Sequence, residues 1–434
     1  MIAREFRARA FAAVLAAAGL STAAFGQAKD VSIGVIFDYT GPFAAGGSQA
    51  AGIGTKIAVD MVNERGGVEG RKIKAIYSDA QSKTDVAINE ATRLLEQEKV
   101  DLIMGVYSSA HCVPMAQRAD AAKKFMWANV CIASAVFKDK KLSYVFRPQV
   151  HSDQFGEASC AFLNEHAKAK LKKDPKSLKV AIIYEDGPYG AGVAAGNESQ
   201  CKKYGMEVVL KEGYSATAPD LSSLVTKLRR ARADVILHTG YNPDITLFWR
   251  QAREQGLKWA ALIGHGAGYG QFDKLKEAFG KDAEHIFNVD TVEAQLLDAK
   301  SLAPGMGALI KEMDKRYKAE TKAAQVPPQA WAGFNHTWIF LTDVLPRAIK
   351  KYGGADAGAL RQAALDTDIP EGGTIQGYGV KFFPPGHPMS GQNERASLVV
   401  MQYLGGESKI AWPTKLRTVD PVLPWPKSNA YSNQ

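Results

Sequence analysis

Small and hydroxyl-bearing residues follow several apolar runs of this sequence, and their chemistry suits the binding of a solute. Tyr107-Ser108-Ser109-Ala110 and Ile132-Ala133-Ser134 each come directly after such a run. If helices begin there, free backbone N–H groups and serine hydroxyls together hold a carboxylate without a basic side chain. The alternative is that Ser109 and Ser134 only cap their own helices.

Two tyrosines occupy equivalent loops in the second half of the chain. Tyr189 lies in Gly187-Pro188-Tyr189-Gly190, and Tyr241 lies in Gly240-Tyr241-Asn242-Pro243. An aromatic ring that follows a glycine in such a loop closes over the apolar part of a ligand. The alternative is that each ring packs against its own domain.

Common catalytic motifs are absent from the sequence. It has no G-x-x-x-x-G-K-[ST] phosphate loop and no H-E-x-x-H zinc motif. Residues 46–50 lack the last glycine of a nucleophile elbow, and the third glycine of residues 264–268 comes one position early for a dinucleotide fingerprint. We therefore expect no catalytic residues, no metal and no cofactor. Scattered catalytic residues leave an exported α/β enzyme as the alternative.

The elements that position these loops alternate between strands and helices. Short apolar runs such as residues 31–37 predict buried strands, and the stretches between them have helical periodicity, as at Ile53, Ile57 and Met61. The alternation restarts near residue 153 and continues to about residue 255. This pattern predicts an α/β fold of two lobes, each a doubly wound parallel sheet covered on both faces.

The N-terminus has the features of a secretory signal peptide. Residues 1–26 combine Arg4, Arg7 and Arg9 with a short apolar stretch that ends in small residues. The alternative, a membrane anchor, needs about 20 apolar residues, and this stretch is shorter. We therefore expect cleavage and a periplasmic location.

Charge and cysteine content restrict the remaining possibilities. The formal net charge is +9, but no dense Lys/Arg cluster accompanies it, so we expect no nucleic-acid partner. Four cysteines are too few to build a disulfide scaffold. Export permits Cys112 to pair with Cys131 and Cys160 with Cys201, and four buried thiols are the alternative.

An ordered series of segments resembles the leucine/isoleucine/valine-binding protein family, the type I periplasmic solute receptors of ABC importers. The series includes Tyr39-Thr40-Gly41-Pro42-Phe43, Gly66-Gly67-Val68-Glu69-Gly70-Arg71 and Tyr189-Gly190-Ala191-Gly192. It spans nearly the whole chain after the signal peptide. The resemblance implies two lobes, joined by three crossovers, that close on a small molecule.

The same resemblance implies where the lobes begin and end. The crossovers fall near residues 148–151, 289–291 and 383–386. The N-terminal lobe then comprises residues 29–149 plus 291–384, and the C-terminal lobe comprises residues 150–290 plus 385–434.

A set of ligand-binding residues follows from the resemblance. The carboxylate-binding serine of the family corresponds to Ser109, and its two closing-lobe tyrosines match Tyr189 and Tyr241. The full set of candidates is Phe43, Tyr107, Ser108, Ser109, Ile132, Ala133, Ser134, Tyr189, Tyr241 and His265.

Two positions depart from the family pattern. The acidic residue that such receptors use for the α-ammonium group of a ligand would fall near His265, where the loop has no carboxylate. A neutral imidazole stabilises a desolvated cation less well than a carboxylate does. An aromatic residue of the first loop aligns with Gly46, which would enlarge the pocket. Both departures favour a larger or aromatic carboxylate, or an amide, over an aliphatic amino acid.

We therefore expect a monomeric periplasmic solute-binding protein. Its partners would be a small amino-acid-like or aromatic carboxylate or amide ligand and the permease subunits of an ABC importer in the inner membrane. An exported enzyme and a ligand-sensing domain of the same fold are the alternatives.

Overall fold

The structure, a computed structural model, describes residues 29–434, so the predicted signal peptide lies outside the described residues. The strands are β1 (Val31–Phe37), β2 (Ile73–Asp79), β3 (Leu102–Gly105), β4 (Phe125–Ala128), β5 (Val145–Phe146), β6 (Lys179–Glu185), β7 (Glu207–Tyr214), β8 (Val235–Thr239), β9 (Ala261–His265), β10 (Phe287–Asp290), β11 (Val399–Leu404) and β12 (Glu407–Trp412). The helices are α1 (Gln49–Glu64), α2 (Thr84–Thr92), α3 (Ser109–Ala121), α4 (Ser152–His166), α5 (Pro188–Lys203), α6 (Ser222–Ala231), α7 (Asn242–Glu254), α8 (Gly266–Tyr269), α9 (Phe272–Phe279), α10 (Met306–Thr321), α11 (Pro328–Ile339), α12 (Leu345–Tyr352) and α13 (Ala357–Leu365).

The first sheet contains five parallel strands in the order β2-β1-β3-β4-β5. β3 and β4 are buried at every residue, because helices cover both faces of the sheet and a continuous apolar run suits that position. The second sheet has the order β12-β11-β10-β9-β8-β6-β7. The predicted α/β fold of two doubly wound sheets is thereby confirmed.

The second sheet also has an antiparallel edge that the sequence pattern did not predict. β11 runs antiparallel to both β10 and β12. The five strands from β6 to β10 are parallel to one another. The end of the chain is anchored beside this sheet. Trp425 and Tyr431 are fully buried, and Tyr431 stacks on Trp259 with ring centroids 5.0 Å apart.

Helix α11 brings part of the later chain against the first sheet. It packs on α1 so closely that a Cβ atom added to Gly54 would lie 2.2 Å from the Ala330 carbonyl oxygen. A Cβ atom added to Gly333 would lie 2.1 Å from the Ala51 carbonyl oxygen. Glycine at both positions lets the two backbones meet, and this contact fixes the position of the first turn of α11.

The chain passes between the sheets three times: after β5, after β10 and before β11. Residues 383–392 stay beside the first sheet, because the Arg147 N–H group donates to the Gly391 carbonyl (2.9 Å) and Arg147 Nε donates to Gln392 Oε1 (2.6 Å). The last passage therefore follows Gln392, later in the chain than the expected 383–386. The exact lobe limits stay a prediction.

Both cysteine pairs are disulfides in the structure, which joins Cys112 to Cys131 and Cys160 to Cys201. Each bridge lies within one lobe. Within residues 29–434, none of the helices has both the length and the apolar character needed to cross a bilayer.

Candidate functional site

A cavity lies where the carboxyl ends of the two sets of parallel strands face each other. The volume of the cavity is about 40 Å³, which leaves room for only a few water-sized groups in this conformation. Its wall is formed by Tyr107, Ser109, Val130, Ile132, Gln149, Phe155, Tyr189, Tyr241, Gly266, Ala267, Asp290, Thr291, Pro328, Gln329 and Ala332.

Five of the ten residues predicted from the sequence lie in this wall: Tyr107, Ser109, Ile132, Tyr189 and Tyr241. They come together because each follows a strand of a parallel sheet, and the loops after such strands share one edge. That they contact a ligand stays a prediction.

Ser109, the first residue of α3, ties two loops together. Its Oγ atom accepts hydrogen bonds from the backbone N–H groups of Ile132 (3.3 Å) and Ala133 (3.1 Å). The amides and the hydroxyl predicted to hold a carboxylate are therefore adjacent, but they bind each other in this conformation. A solute carboxylate would have to compete with Ser109 Oγ for those two donors.

Two of the three tyrosines of the wall, Tyr107 and Tyr189, have hydroxyls that are bonded to backbone carbonyls. Tyr189 Oη donates to the His265 carbonyl at 2.7 Å, and Tyr107 Oη donates to the Gly46 carbonyl at 2.5 Å. Burial holds the pKa of each tyrosine well above its usual range, so both are neutral phenols.

The first residues of α7 are held by a buried polar network. Asp244 Oδ1 accepts the backbone N–H of Tyr241 (2.9 Å), and Asp244 Oδ2 accepts the hydroxyl of Tyr214 (2.6 Å). Tyr214 Oη also lies 2.7 Å from Nε2 of His238. Burial raises the pKa of Asp244 to about 7. The network therefore holds the backbone of Tyr241 from the side that faces away from the cavity.

The other predicted residues lie outside the wall. The Phe43 ring packs on Tyr241 with centroids 4.5 Å apart, so it bridges the lobes beside the cavity. Ser134 turns towards α4, where its hydroxyl donates to Asp153 Oδ1 (3.0 Å). Ala133 and Ser108 are fully buried, and the Ser108 hydroxyl finds no hydrogen-bond partner among residues 29–434.

His265 was expected to face the ligand, and the structure places its ring in the interior of the second lobe instead. Nδ1 lies 2.9 Å from Thr239 Oγ1, and Nε2 lies 2.9 Å from Ser159 Oγ. Burial lowers the pKa of His265 to about 3, so the ring is neutral. The reason is the register of β9, which turns the last side chain of the strand into the core.

Gly46 lies next to Tyr107 and is not part of the wall of the cavity. The hydroxyl of Tyr107 reaches its carbonyl, and a Cβ atom added to Gly46 would lie 3.9 Å from that hydroxyl. That distance is an ordinary contact, and no atom of the Tyr107 ring lies within 4 Å of the added Cβ atom. That Gly46 enlarges the pocket therefore stays a prediction.

The sequence reasoning missed a carboxylate in the wall, that of Asp290 at the end of β10. No carboxylate stands in the loop after β9, but β10 is paired with β9, with Val289 opposite His265, and supplies one. Asp290 is 7% exposed, and its Oδ1 accepts the backbone N–H of Thr291 at 2.7 Å. Burial raises the pKa of Asp290 to about 7. The argument against an amino-acid ligand therefore no longer holds.

The sequence matches the family model described as "Periplasmic binding protein" over residues 30–402. The chain belongs to the periplasmic binding protein family. This confirms the resemblance inferred from the sequence.

Curated relatives of this periplasmic binding protein extend over nearly its whole length. The Leu/Ile/Val-binding protein homolog 7 of Brucella abortus (strain 2308) is 34% identical over 400 residues, which cover 92% of this chain and 95% of the relative. The Leu/Ile/Val-binding protein homolog 8 of Brucella suis biovar 1 (strain 1330) is 33% identical over 396 residues, which cover 91% of this chain and 93% of the relative.

Solved structures share the fold at low sequence identity. The leucine binding protein LivK of Thermotoga maritima MSB8 superposes with a TM-score of 0.72 at 21% identity, covering 88% of this chain and 97% of that one. A solute binding protein of an ABC transporter from R. palustris, solved in complex with benzoate, superposes with a TM-score of 0.69 at 18% identity, covering 88% and 95%.

Side-chain contacts between the lobes close the cleft of this periplasmic binding protein. Besides the Phe43–Tyr241 pair, Gln271 Nε2 of the second lobe donates to Gln329 Oε1 of α11 at 2.6 Å. A larger groove of about 450 Å³ lies beyond this amide pair and shares Pro328 with the cavity. The Gln271–Gln329 pair therefore separates the cavity from the groove.

A buried arginine supports the first-lobe side of the cavity. Arg147 is fully buried, and its Nη1 donates to the carbonyls of Cys131 (3.1 Å) and Ala133 (2.9 Å). These two carbonyls flank Ile132, so Arg147 fixes the peptide groups of that loop. Burial lowers the pKa of Arg147 to about 9, which leaves it charged at neutral pH.

Proposed function

We propose that the protein is the solute-binding component of an ABC importer, which encloses a small organic solute between its lobes in the periplasm and delivers it to permease subunits in the inner membrane. The observation that carries the proposal is the cavity between the lobes, whose wall contains residues from both. The family membership and the names of the two Brucella relatives support it.

Binding and closure are coupled in this proposal. The Phe43–Tyr241 and Gln271–Gln329 contacts join the lobes in this conformation, and opening of the cleft would break them. A solute that contacts both lobes adds free energy to the closed form alone, and it shifts the open–closed equilibrium by that difference. The permease would then recognise the closed, loaded shape.

We assign direct ligand contact to Tyr107, Ser109, Ile132, Tyr189 and Tyr241, because they line the cavity. Phe43, Ser108, Ala133, Ser134 and His265 would act through those residues as positioning groups. The exported-enzyme alternative gains no support from Ser109, since its Oγ bonds to backbone amides and not to a general base.

The proposal is tested by measuring ligand binding and the dimensions of the protein in solution. The protein is stripped of solute and screened by thermal shift against amino acids, aromatic acids and amides, and small-angle scattering compares the empty and loaded forms. We expect at least one solute to raise the melting temperature and to make the particle more compact. Tyr241→Ala should weaken binding at least tenfold.

Tyr77→Ala is the matched control, because Tyr77 is a 39% exposed tyrosine on β2, away from the cavity. It should bind as the wild type does. If no solute raises the melting temperature and the dimensions of the particle never change, the proposal is contradicted. N-terminal sequencing of the mature protein from periplasmic extract and its mass in solution test cleavage, location and the monomeric state.

A further inference from the structure

Gln149, on the passage between the sheets after β5, carries a side-chain donor that the protein does not use. The residue is 3% exposed and lies in the wall of the cavity. Its Oε1 accepts the backbone N–H group of Val150 at 3.0 Å, and only an oxygen can accept that bond, so the free end of the amide is Nε2. Among residues 29–434, the bond to Val150 is the only hydrogen bond of this side chain.

Neighbouring amide groups of the wall are engaged by the protein itself. The backbone N–H group of Ile132 donates to Ser109 Oγ at 3.3 Å. Gln329, the other glutamine of the wall, donates its Nε2 to the Ala267 carbonyl at 3.4 Å. In the part of the chain that the structure describes, Gln149 Nε2 is therefore the side-chain amide nitrogen of the wall that is left for a solute.

The position of Gln149 is fixed by the chain that returns beside it. Gln392 Nε2 donates to the Gln149 carbonyl at 2.6 Å, and Gln392 Oε1 accepts Arg147 Nε at 2.6 Å. Because its own Oε1 is bonded to Val150 as well, the side chain is ordered before a solute arrives. A group that is already ordered loses little conformational entropy on binding, so its hydrogen bond contributes more to affinity.

The first sheet places Gln149 two strands away from Ser109. β3, β4 and β5 are neighbours in this sheet, and Ser109, Ile132 and Gln149 follow them in that order. Neighbouring strands lie about 4.8 Å apart, so the ends of β3 and β5 are about 10 Å apart. A solute with one end at the Ser109 loop therefore brings its other end towards Gln149.

We propose that Gln149 is a specificity-determining residue: its Nε2 donates to an oxygen acceptor at the end of the solute remote from Ser109. This inference rests on the proposed function. The favoured class is a solute whose remote end carries a carbonyl, amide or hydroxyl oxygen. An apolar group there would leave Nε2 without water and without a partner once the cleft closes, which is unfavourable. A cationic nitrogen there has no lone pair to accept the N–H group.

Pairs of solutes of equal shape isolate this oxygen. Asparagine and leucine form one pair, 4-oxopentanoate and 4-methylpentanoate a second, and 4-acetylbenzoate and 4-isopropylbenzoate a third. In each pair an oxygen acceptor takes the place of a methyl group, and the carboxylate is unchanged. Each solute is titrated calorimetrically into the mature protein from which bound solute has been removed. The measured quantity is the ratio of the two dissociation constants of a pair.

Gln149→Met removes the donor at nearly the same side-chain length, and Gln154→Met is the matched control. Gln154 Oε1 accepts the His151 N–H group at 2.9 Å, and its Nε2 donates to the Ala396 carbonyl at 2.6 Å. Gln154 lies in the same segment but outside the wall of the cavity. Both variants therefore lose an amide that holds a backbone N–H group, but only Gln149→Met loses a donor to the solute. Circular dichroism and thermal melting establish that both are folded.

We expect wild-type protein and Gln154→Met to prefer the oxygen-bearing member of a pair about tenfold or more, and Gln149→Met to lose this preference. The solute that co-purifies with the native protein is identified by mass spectrometry, and it should carry at least two oxygen-bearing groups. The wild-type ratios need no variant, so they decide the inference even if Gln149→Met does not fold.

Equal affinity of wild-type protein for the two members of each pair, or a preference for the methyl-bearing member, would overturn this inference and leave the proposed function standing. An equal loss of affinity for both members in Gln149→Met would also overturn it, because the donor would then bind the carboxylate that they share. Absence of binding by every solute and of any co-purified solute would contradict the proposed function as well.

Discussion

Replacing Asp290 with asparagine should change how the stability of the ligand-free protein depends on pH. Burial raises the pKa of the Asp290 carboxyl to about 7 in the folded protein, against an ordinary value of 3.8. Its folded-state pKa is raised, so the folded state binds this proton more tightly than the unfolded state. The contribution to stability is fully present below pH 4 and is lost as the pH rises through 7.

The magnitude follows from the two pKa values. One pKa unit corresponds to about 1.4 kcal/mol, so the buried carboxyl destabilises the fold by about 1.7 kcal/mol at pH 5 and by about 4 kcal/mol at pH 8. Asparagine does not titrate and keeps an oxygen that can accept the Thr291 N–H group. The gain in the free energy of unfolding from Asp290→Asn should therefore be about 2.5 kcal/mol larger at pH 8 than at pH 5.

Urea denaturation of both proteins at pH 5 and pH 8 measures this difference. Bound solute is removed first by dialysis in denaturant with the disulfides intact. Other buried carboxyls titrate in the same range, including Asp38, Asp244 and Glu293. They are common to both proteins and largely cancel in the comparison. Equal pH dependence of the two proteins would refute the assignment of Asp290 as an unpaired buried carboxyl.

Three further substitutions test the packing around the cavity. Tyr214→Phe leaves Asp244 Oδ2 and His238 Nε2 without their partner, so urea denaturation should show a loss of about 1–3 kcal/mol and calorimetry a weaker affinity through Tyr241. Gly54→Ala drives a methyl group into the Ala330 carbonyl and should destabilise the protein by about 1–3 kcal/mol; an unchanged urea midpoint would contradict the close α1–α11 contact. Gln329→Ala joins the cavity to the adjacent groove, so bulkier solutes should gain affinity relative to small ones in competition titrations.

The pattern of the sequence was sufficient for the parallel strands that begin each lobe and for the loops that follow them. Apolar runs such as β1 and β6 can be buried only in a sheet covered on both faces, and the helices between them force parallel pairing. Ser109, Tyr189 and Tyr241 were predictable for the same reason, because their loops must lie at the carboxyl edge of a sheet.

The strand that carries Asp290, β10, was not predicted, because residues 289–291 were interpreted as a crossover between the lobes. This strand has only four residues, and two of them are Asn288 and Asp290. Its composition therefore does not indicate a fully buried strand. Its pairing with β9 and β11 makes it one, and this pairing is a long-range contact.

The sequence alone thus determined the fold class, the family and the loops from which the site is built, since all three depend on local periodicity and on the order of elements. Only the tertiary structure decided which side chains face the cavity. Successive residues of a strand point to opposite faces, so the register of β9 and β10 turned His265 inward and Asp290 towards the cavity. Gln329 reached the same wall because α11 packs on α1, a contact between residues far apart in the chain that local patterns do not encode.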